Sequence, residues 1–468
     1  VQPTSLEPGI NLCGLFRSEN GLGQAARLLA QAVEATGIPY TTRTYTRSAS
    51  RQGAPWTEHG DGLPAFDVNL LALNGDATVM FAADAGPALF EGRHTIGTWA
   101  WETDRIPERW AGSLELVDEV WMPSEFSRQA VAAATDKPTL VFPHPIPIPP
   151  APVMTRADAG LPEAFTFLFA FDFFSGAERK NATGVVRAFR LAFPEPGGAA
   201  LVIKSANGPS RPADLRRLLE AAAGRPDILV RDGHTPQPRL QAMIGLCDCY
   251  VSLHRAEGFG LTIAEAMAQG RPAIATGYSG NLEFMTEENS LLVGHRLVPV
   301  GADAAFYSSV GRWADPDLEH AAALMREVFE HREAAAARAA RGVEDIRRLH
   351  SVEARADLVR RRYTTIRADH LPARRVWGAD WGAASPLLRA ELRLAREPGL
   401  DLPTRSGGLY GAFARLSRRA FRRLHLPYQS HDEEAGRALS EALWEQAAEI
   451  RRLRARLEEL ESRPAAGR

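Results

Sequence analysis

Glu257 and Glu265 lie within a stretch whose residue types suit the binding of a phosphate, Cys247–Ala275, read as CDCYVSLHRAEGFGLTIAEAMAQGRPAIA. Gly258 and Gly260 lie between the two acids and let a backbone come close to a ligand. A helix beginning at Leu261 would present unpaired N–H groups and a partial positive charge to an anion. Glu265, one turn into that helix, is placed to accept two hydrogen bonds from a ribose diol. Glu257, on the loop, is placed for the other end of the same ligand. The structural alternative is that Glu265 only complements the helix dipole and Glu257 is solvated, since a glycine-rich loop alone is a weak motif.

The elements that must hold these residues can be read from the same stretch. Cys247–Leu253 is a short apolar run of strand type. His254–Gly260 is a loop. Leu261–Gln269 has helical composition, Gly270 and Pro272 stop it, and Ala273–Ala275 resumes a strand. Strand, glycine loop, helix, strand is half of a nucleotide-binding α/β unit.

Glu257-Gly-Phe-Gly-Leu and Glu265 resemble the E-x7-E signature of retaining glycosyltransferases of the GT-B fold, family 4. Glu265-Ala-Met-Ala, Gly270-x-Pro272 and Gly277-Tyr-Ser-Gly-Asn-Leu-Glu283 extend the resemblance, which covers about residues 9–365. It implies that Glu257 contacts a donor sugar, that Glu265 holds the ribose, and that Gly258, Phe259, Gly260 and Leu261 bind sugar and phosphates. It also implies an α/β fold of GT-B type, with two Rossmann-like domains facing a cleft. Lys180-Asn181 resembles the family's diphosphate-binding Lys-Gly or Lys-Asn. The family's earlier arginine is replaced here by Phe174 and Ser175, and Arg179 is the substitute. Lys180 stands out in a chain whose only other lysines are Lys137 and Lys204.

Near the start, Gly9–Phe16 reads as a strand, and Gly21-Leu-Gly23 opens a helix through Ala35. Gly21-x-Gly23-x-x-Ala26 fits a dinucleotide fingerprint, which raises an NAD-dependent enzyme as an alternative. The next strand region, Tyr40–Tyr45, offers no acid for a ribose. The resemblance instead places Gly21 and Gly23 opposite the donor diphosphate. Phe66–Asn74 reads as a buried strand and Asn74-Gly75-Asp76 as a turn out of it. Thr95–Trp101 is a strand ending at Glu102, and Trp101 and Glu102 are the candidates for the acceptor side, through ring stacking and a carboxylate. His144 lies in a proline-rich stretch and is read as structural. Asp315-x-Asp317 precedes a helix and is read as a cap rather than a metal motif. No metal and no cofactor are expected, the nucleotide sugar being a cosubstrate.

Composition fits this reading. The 468 residues are 45% hydrophobic and 24% charged, ordinary for a globular chain with two or three domains. A net charge of −2 gives no bulk attraction to nucleic acid. Three cysteines, Cys13, Cys247 and Cys249, are too few for a disulfide framework and favour a reducing cytoplasm. No apolar run approaches the roughly 20 residues that span a bilayer.

The expected organisation is an acceptor-side domain at 1–145, a proline-rich linker at 146–162, a nucleotide-sugar-binding domain at 163–345 and a crossover helix at 346–366. A linker with a basic amphipathic helix follows at 367–432, and a coiled coil at 433–463 ends the plan. In 409–424, Leu409, Phe413, Leu416, Phe421 and Leu424 recur at helical spacing among arginines, a pattern suited to an anionic membrane surface such as the inner face of the plasma membrane. In 439–460, Leu443, Ile450 and Leu457 form one seam of a short coiled coil for self-association or a partner helix. The expected activity is transfer of a hexose from a UDP- or GDP-sugar to a glycan, lipid-linked or natural-product hydroxyl. The rival from another class is a non-catalytic GT-B scaffold subunit acting through the coiled coil.

Overall fold

The computed structural model describes residues 6–48, 50–62, 65–301, 304, 307, 311–369 and 376–395. The basic segment 409–424 and the coiled-coil segment 439–460 lie outside the described residues. The chain divides into two units, Val1–Arg389 and Ala390–Arg468. None of the described helices is long and apolar enough to cross a membrane.

The first unit is built on two parallel six-stranded sheets. The strands of the first are β1 (Glu7–Gly14), β2 (Tyr40–Thr44), β3 (Phe66–Ala72), β4 (His94–Thr98), β5 (Glu119–Met122) and β6 (Thr139–Val141), in the order β2-β1-β3-β4-β5-β6. Those of the second are β7 (Phe165–Asp172), β8 (Ala199–Ala206), β9 (Ile228–Asp232), β10 (Cys249–Ser252), β11 (Ala273–Thr276) and β12 (Leu291–Val293), in the order β12-β11-β10-β7-β8-β9. Read outward from β7, the second sheet has the doubly wound order of a dinucleotide-binding fold, with its switch point between β7 and β10. The continuous apolar composition of the central strands follows from burial on both faces: Phe165–Phe171 is buried throughout.

Two segments differ from the sequence expectation. Asn74 does not turn the chain out of β3 but precedes a helix, Gly75–Ala85. Its buried Thr78, Val79, Phe81 and Ala82 leave too little polar face for the periodicity to show. The residues after β12 form an antiparallel hairpin, β13 (His295–Pro299) with β14 (Arg312–Pro316), so Trp313 and Asp315 belong to a strand. Asp317 alone caps the next helix, accepting from the His320 N–H at 2.9 Å, while Asp315 pairs with Arg255 and Arg296.

A helix at Val352–Asp369 returns to the first sheet. Val359 and Ile366 enter its core with Leu12, Leu29 and Val33. Arg362 ion-pairs with the fully buried Glu119 of β5. A separate cluster joins Trp99, Trp101 and Trp110, beyond β4, to Ala256, Val300, Tyr307 and Trp313. The hairpin therefore packs against the loops of both sheets.

Candidate active site

The two loops that leave the second sheet at its switch point meet. After β7 the chain makes a short helix, Ala177–Lys180, which ends where Asn181 adopts the left-handed conformation at φ 53°. Asn181 donates from its side chain to the Leu253 carbonyl at 2.8 Å, tying this corner to the end of β10. The Arg255 N–H donates to the Arg179 carbonyl at 2.7 Å, and Arg179 Nη1 to the Ala256 carbonyl at 2.8 Å. The outcome is that Arg179 and Lys180 converge on Glu257. Arg179 Nη1 stands 3.0 Å from Glu257 Oε2, and Lys180 Nζ contacts Oε1.

Glu257 is 7% exposed. Burial alone would raise its carboxyl; the charges of Lys180 and Arg179 outweigh that and hold it at about 2. Its backbone is fixed as well. The Glu257 N–H donates to Ser279 Oγ at 2.8 Å, and its carbonyl accepts from Gly280 at 2.9 Å. Ser279 holds a φ of 76°, a strained conformation for a residue with a side chain. Gly280 is obligatory: a Cβ there would sit 2.1 Å from the Gly258 carbonyl oxygen. The buried His254 completes the brace, linking Ser252 Oγ (3.1 Å) to Asn281 Oδ1 (3.0 Å).

Gly258 passes within contact of the other sheet, where an added Cβ would lie 3.3 Å from the Trp101 carbonyl oxygen. Gly260, at φ 98°, starts the helix Leu261–Ala268, and no side chain caps that helix. Phe259 turns into the core against His144, Phe284 and His350, so only its backbone faces the loop's outer side. Glu265 is part-buried on that helix. Burial raises its carboxyl to about 7, and a hydrogen bond with Gln241 offsets part of the rise.

From the first sheet, Glu102 reaches the same cluster, with Oε1 3.8 Å from Arg179 Nη2. Trp101 does not present a free ring. It is 6% exposed, packs on Trp110 and Tyr307, and donates its indole N–H to Thr103 and to the Arg105 carbonyl. From this loop it is therefore Glu102 that reaches the Arg179–Glu257 cluster. At the other end, Gly23 is required by packing, since a Cβ would meet the Ser18 carbonyl oxygen at 2.1 Å; at Gly21 a Cβ would meet nothing within 4 Å. Glu19, beside these glycines, faces His234 after β9 at 3.3 Å.

The other two lysines bind carbonyls: Lys137 those of Leu114 and Val117, Lys204 that of Gly233. Lys180 instead contacts a carboxylate, that of Glu257, at the switch point. Ser279, His254, Asn281 and Tyr307 were not singled out by their sequence. For Ser279 and Asn281 the signal lay in the Gly277–Glu283 block, which reads as resemblance without roles. Among the described residues no group of three or more His, Cys, Asp or Glu is disposed to hold a metal ion.

Residues 126–358 match the model of a family described as family 4 glycosyltransferases in conflict systems. No curated protein matches the chain. Among solved structures, sucrose-phosphate synthase from Thermosynechococcus elongatus is 16% identical, over 77% of this chain and 100% of that one, with a TM-score of 0.56. HepE from Anabaena, solved with UDP and glucose, is 15% identical over 77% and 100%, with a TM-score of 0.55. The pneumococcal O-GlcNAc transferase GtfA, solved with UDP and GlcNAc, is 15% identical over 64% of this chain and 57% of its own length, with a TM-score of 0.45. This chain thus spans little more than half the length of that transferase. The likeness to the first two is one of fold, the GT-B arrangement.

Proposed function

We propose that this chain, a family 4-like glycosyltransferase of the GT-B fold, moves a hexosyl group from a UDP- or GDP-sugar to a hydroxyl of a glycan, lipid-linked or natural-product acceptor, with retention at the anomeric carbon. The observation that carries the reading is the meeting of Arg179 and Lys180 with Glu257, beside an uncapped helix start, at the switch point between β7 and β10. Cations and free helix N–H groups suit a diphosphate. A buried carboxylate held ionised suits sugar hydroxyls.

In this mechanism Glu265 accepts hydrogen bonds from the ribose, and Gly21 lets the backbone of the first sheet's loop approach the diphosphate. Glu257 orients the sugar. The bond between the anomeric carbon and the diphosphate oxygen breaks, and the electron pair leaves with the diphosphate. Lys180, Arg179 and the amides of Gly258–Leu261 stabilise that developing charge. The acceptor hydroxyl attacks from the same face, and its proton passes to the departing diphosphate oxygen. Glu102 orients the acceptor. Closure of the two sheets' loops over the donor excludes competing water.

The test is thermal melting with UDP, GDP, ADP, TDP and NAD in large excess, followed by NMR of the product anomer. A ligand at a hundred times its Kd adds about 2.7 kcal/mol. A shift with one nucleoside diphosphate, and a product of the donor's own anomeric configuration, are expected. A response to NAD alone, or an inverted product, refutes the reading.

A further inference from the structure

The hairpin that follows β12 brings one side chain to the reacting cluster that the family-like motifs do not include. Tyr307 is 8% exposed, although it comes from a connection between two five-residue strands. Its ring lies 5.4 Å from that of Trp101 and 6.2 Å from that of Trp313. Its backbone N–H donates to the Ala304 carbonyl at 2.8 Å. The base of the hairpin is tied to the Glu257 loop: Arg255 donates to Asp315 Oδ1 at 2.9 Å, and the Ala314 N–H to the Arg255 carbonyl at 2.8 Å. Its far end is tied to the first sheet's loop, where the Arg312 N–H donates to Asp104 Oδ1 at 3.2 Å.

Thus anchored on both sides, Tyr307 touches two charged groups at once. Its hydroxyl donates to Glu102 Oε2 at 3.2 Å, and its ring centroid lies 5.9 Å from the Arg179 guanidinium carbon. The other oxygen of Glu102 faces Arg179. A carboxylate on a loop rotates freely unless both oxygens are held. Here the Tyr307 hydroxyl holds one and leaves the other directed at the cluster that contains Glu257.

We infer that Tyr307 is a positioning residue for transfer: it fixes the Glu102 carboxylate across the cleft from Glu257 and braces Arg179. This rests on the acceptor-side role proposed for Glu102. A phenol suits the task because it combines a ring that packs among Trp101 and Trp313 with a polar tip at the cleft.

The experiment compares the full-length chain with Tyr307→Phe, Glu102→Gln and the double variant. UDP release from UDP-glucose and GDP release from GDP-mannose are measured, and the probe the parent uses faster is kept. Tyr307→Phe preserves the ring packing. A lost hydrogen bond to a charged group lowers kcat by about tenfold or more, with donor KM and melting temperature close to the parent's. If Tyr307 acts through Glu102, the double variant is no slower than Glu102→Gln alone. Losses that multiply, or a Tyr307→Phe variant within twofold of the parent while Glu102→Gln is impaired, overturn this inference and leave the role of Glu102 standing. Parental activity in Glu102→Gln overturns both. A parent that releases neither diphosphate and whose melting temperature neither UDP nor GDP raises refutes the donor site and the inference with it.

Discussion

Replacing Glu265 by Gln is expected to stabilise the protein at pH 8 while weakening its hold on a nucleoside diphosphate. Burial raises this carboxyl from the ordinary 4.5 to about 7. The unfolded chain loses the proton near 4.5 and the folded chain only near 7. The group's contribution to stability is therefore complete below pH 4.5 and is lost as the pH rises to about 7. Each unit of such a difference is worth about 1.4 kcal/mol. Because Glu265 is part-exposed, the loss between pH 4.5 and 8 is discounted to roughly 1–3 kcal/mol. Gln keeps the size, keeps a partner for Gln241 and carries no charge to bury. The assay is thermal melting of parent and variant at pH 5 and pH 8, with and without UDP or GDP. The variant's advantage should grow from pH 5 to pH 8 and reach a few degrees. The ligand-induced shift should shrink, because an amide accepts ribose hydroxyls less strongly than a carboxylate does; a loss of about tenfold or more in affinity is expected. An advantage that does not change with pH would refute the buried-charge argument. An undiminished nucleotide shift would refute the ribose role.

Further outcomes follow from the same geometry. Glu257→Ala leaves Arg179 and Lys180 buried beside each other without their shared carboxylate, a loss of about 3–5 kcal/mol that a lowered melting temperature would record. Glu257→Gln, which keeps a hydrogen-bonding side chain between the two cations, is therefore the better probe of chemistry. In the parent, Lys180 and Arg179 hold Glu257 at about 2 against an ordinary 4.5, so its contribution to stability is present above pH 4.5 and lost as the pH falls towards 2. Urea titrations at pH 5 and pH 3 should show a smaller acid loss in Glu257→Gln than in the parent. Gly21→Ala meets no steric obstacle, so its melting temperature should match the parent's, while its nucleoside diphosphate shift falls if the backbone there approaches the phosphates. Arg362→Ala leaves the fully buried Glu119 with the Trp121 indole N–H and His94 but without its guanidinium, and should lower stability by about 1.5–3 kcal/mol; a melting temperature equal to the parent's would show that this ion pair does not fasten the returning helix.

The centre of the candidate site was legible in the sequence because its parts are local. Glu257, the glycines and Glu265 lie within one strand-loop-helix unit, and backbone rules alone assign that unit its shape. Lys180 could be singled out because lysine is rare in this chain. What stayed hidden depends on contacts between distant segments. Trp101 reads as a stacking ring at a strand end, yet Trp110 and Tyr307 cover it. Tyr307 lies between two five-residue strands containing Pro299 and Pro316, too short and too interrupted to read as a hairpin. Its partner Glu102 stands 205 residues earlier. Glu119 was unremarkable by sequence because the arginine that pairs with it is 243 residues away. Periodicity reports which face of an element is buried, not what buries it.

The charges at the cleft carry a consequence for how a donor must enter. Lys180, Glu257, Arg179 and Glu102 alternate in sign and together sum to zero. On the proposed reading, an incoming diphosphate meets cations that already have carboxylate partners. Its binding cannot be a simple addition of charge, because separating Lys180 from Glu257 without replacement would leave a buried carboxylate short of a donor. The sugar supplies that replacement: its hydroxyls can donate to Glu257 as Lys180 turns to the phosphates. A nucleoside diphosphate without the sugar offers Lys180 an anion but gives Glu257 nothing in return. The complete nucleotide sugar should therefore bind more tightly than its nucleoside diphosphate, and the gap should narrow in Glu257→Gln, where no charge needs to be compensated. Calorimetry of UDP against UDP-glucose, or GDP against GDP-mannose, on parent and variant measures both differences; a gap that is the same in the two proteins would mean that Glu257 does not receive the sugar.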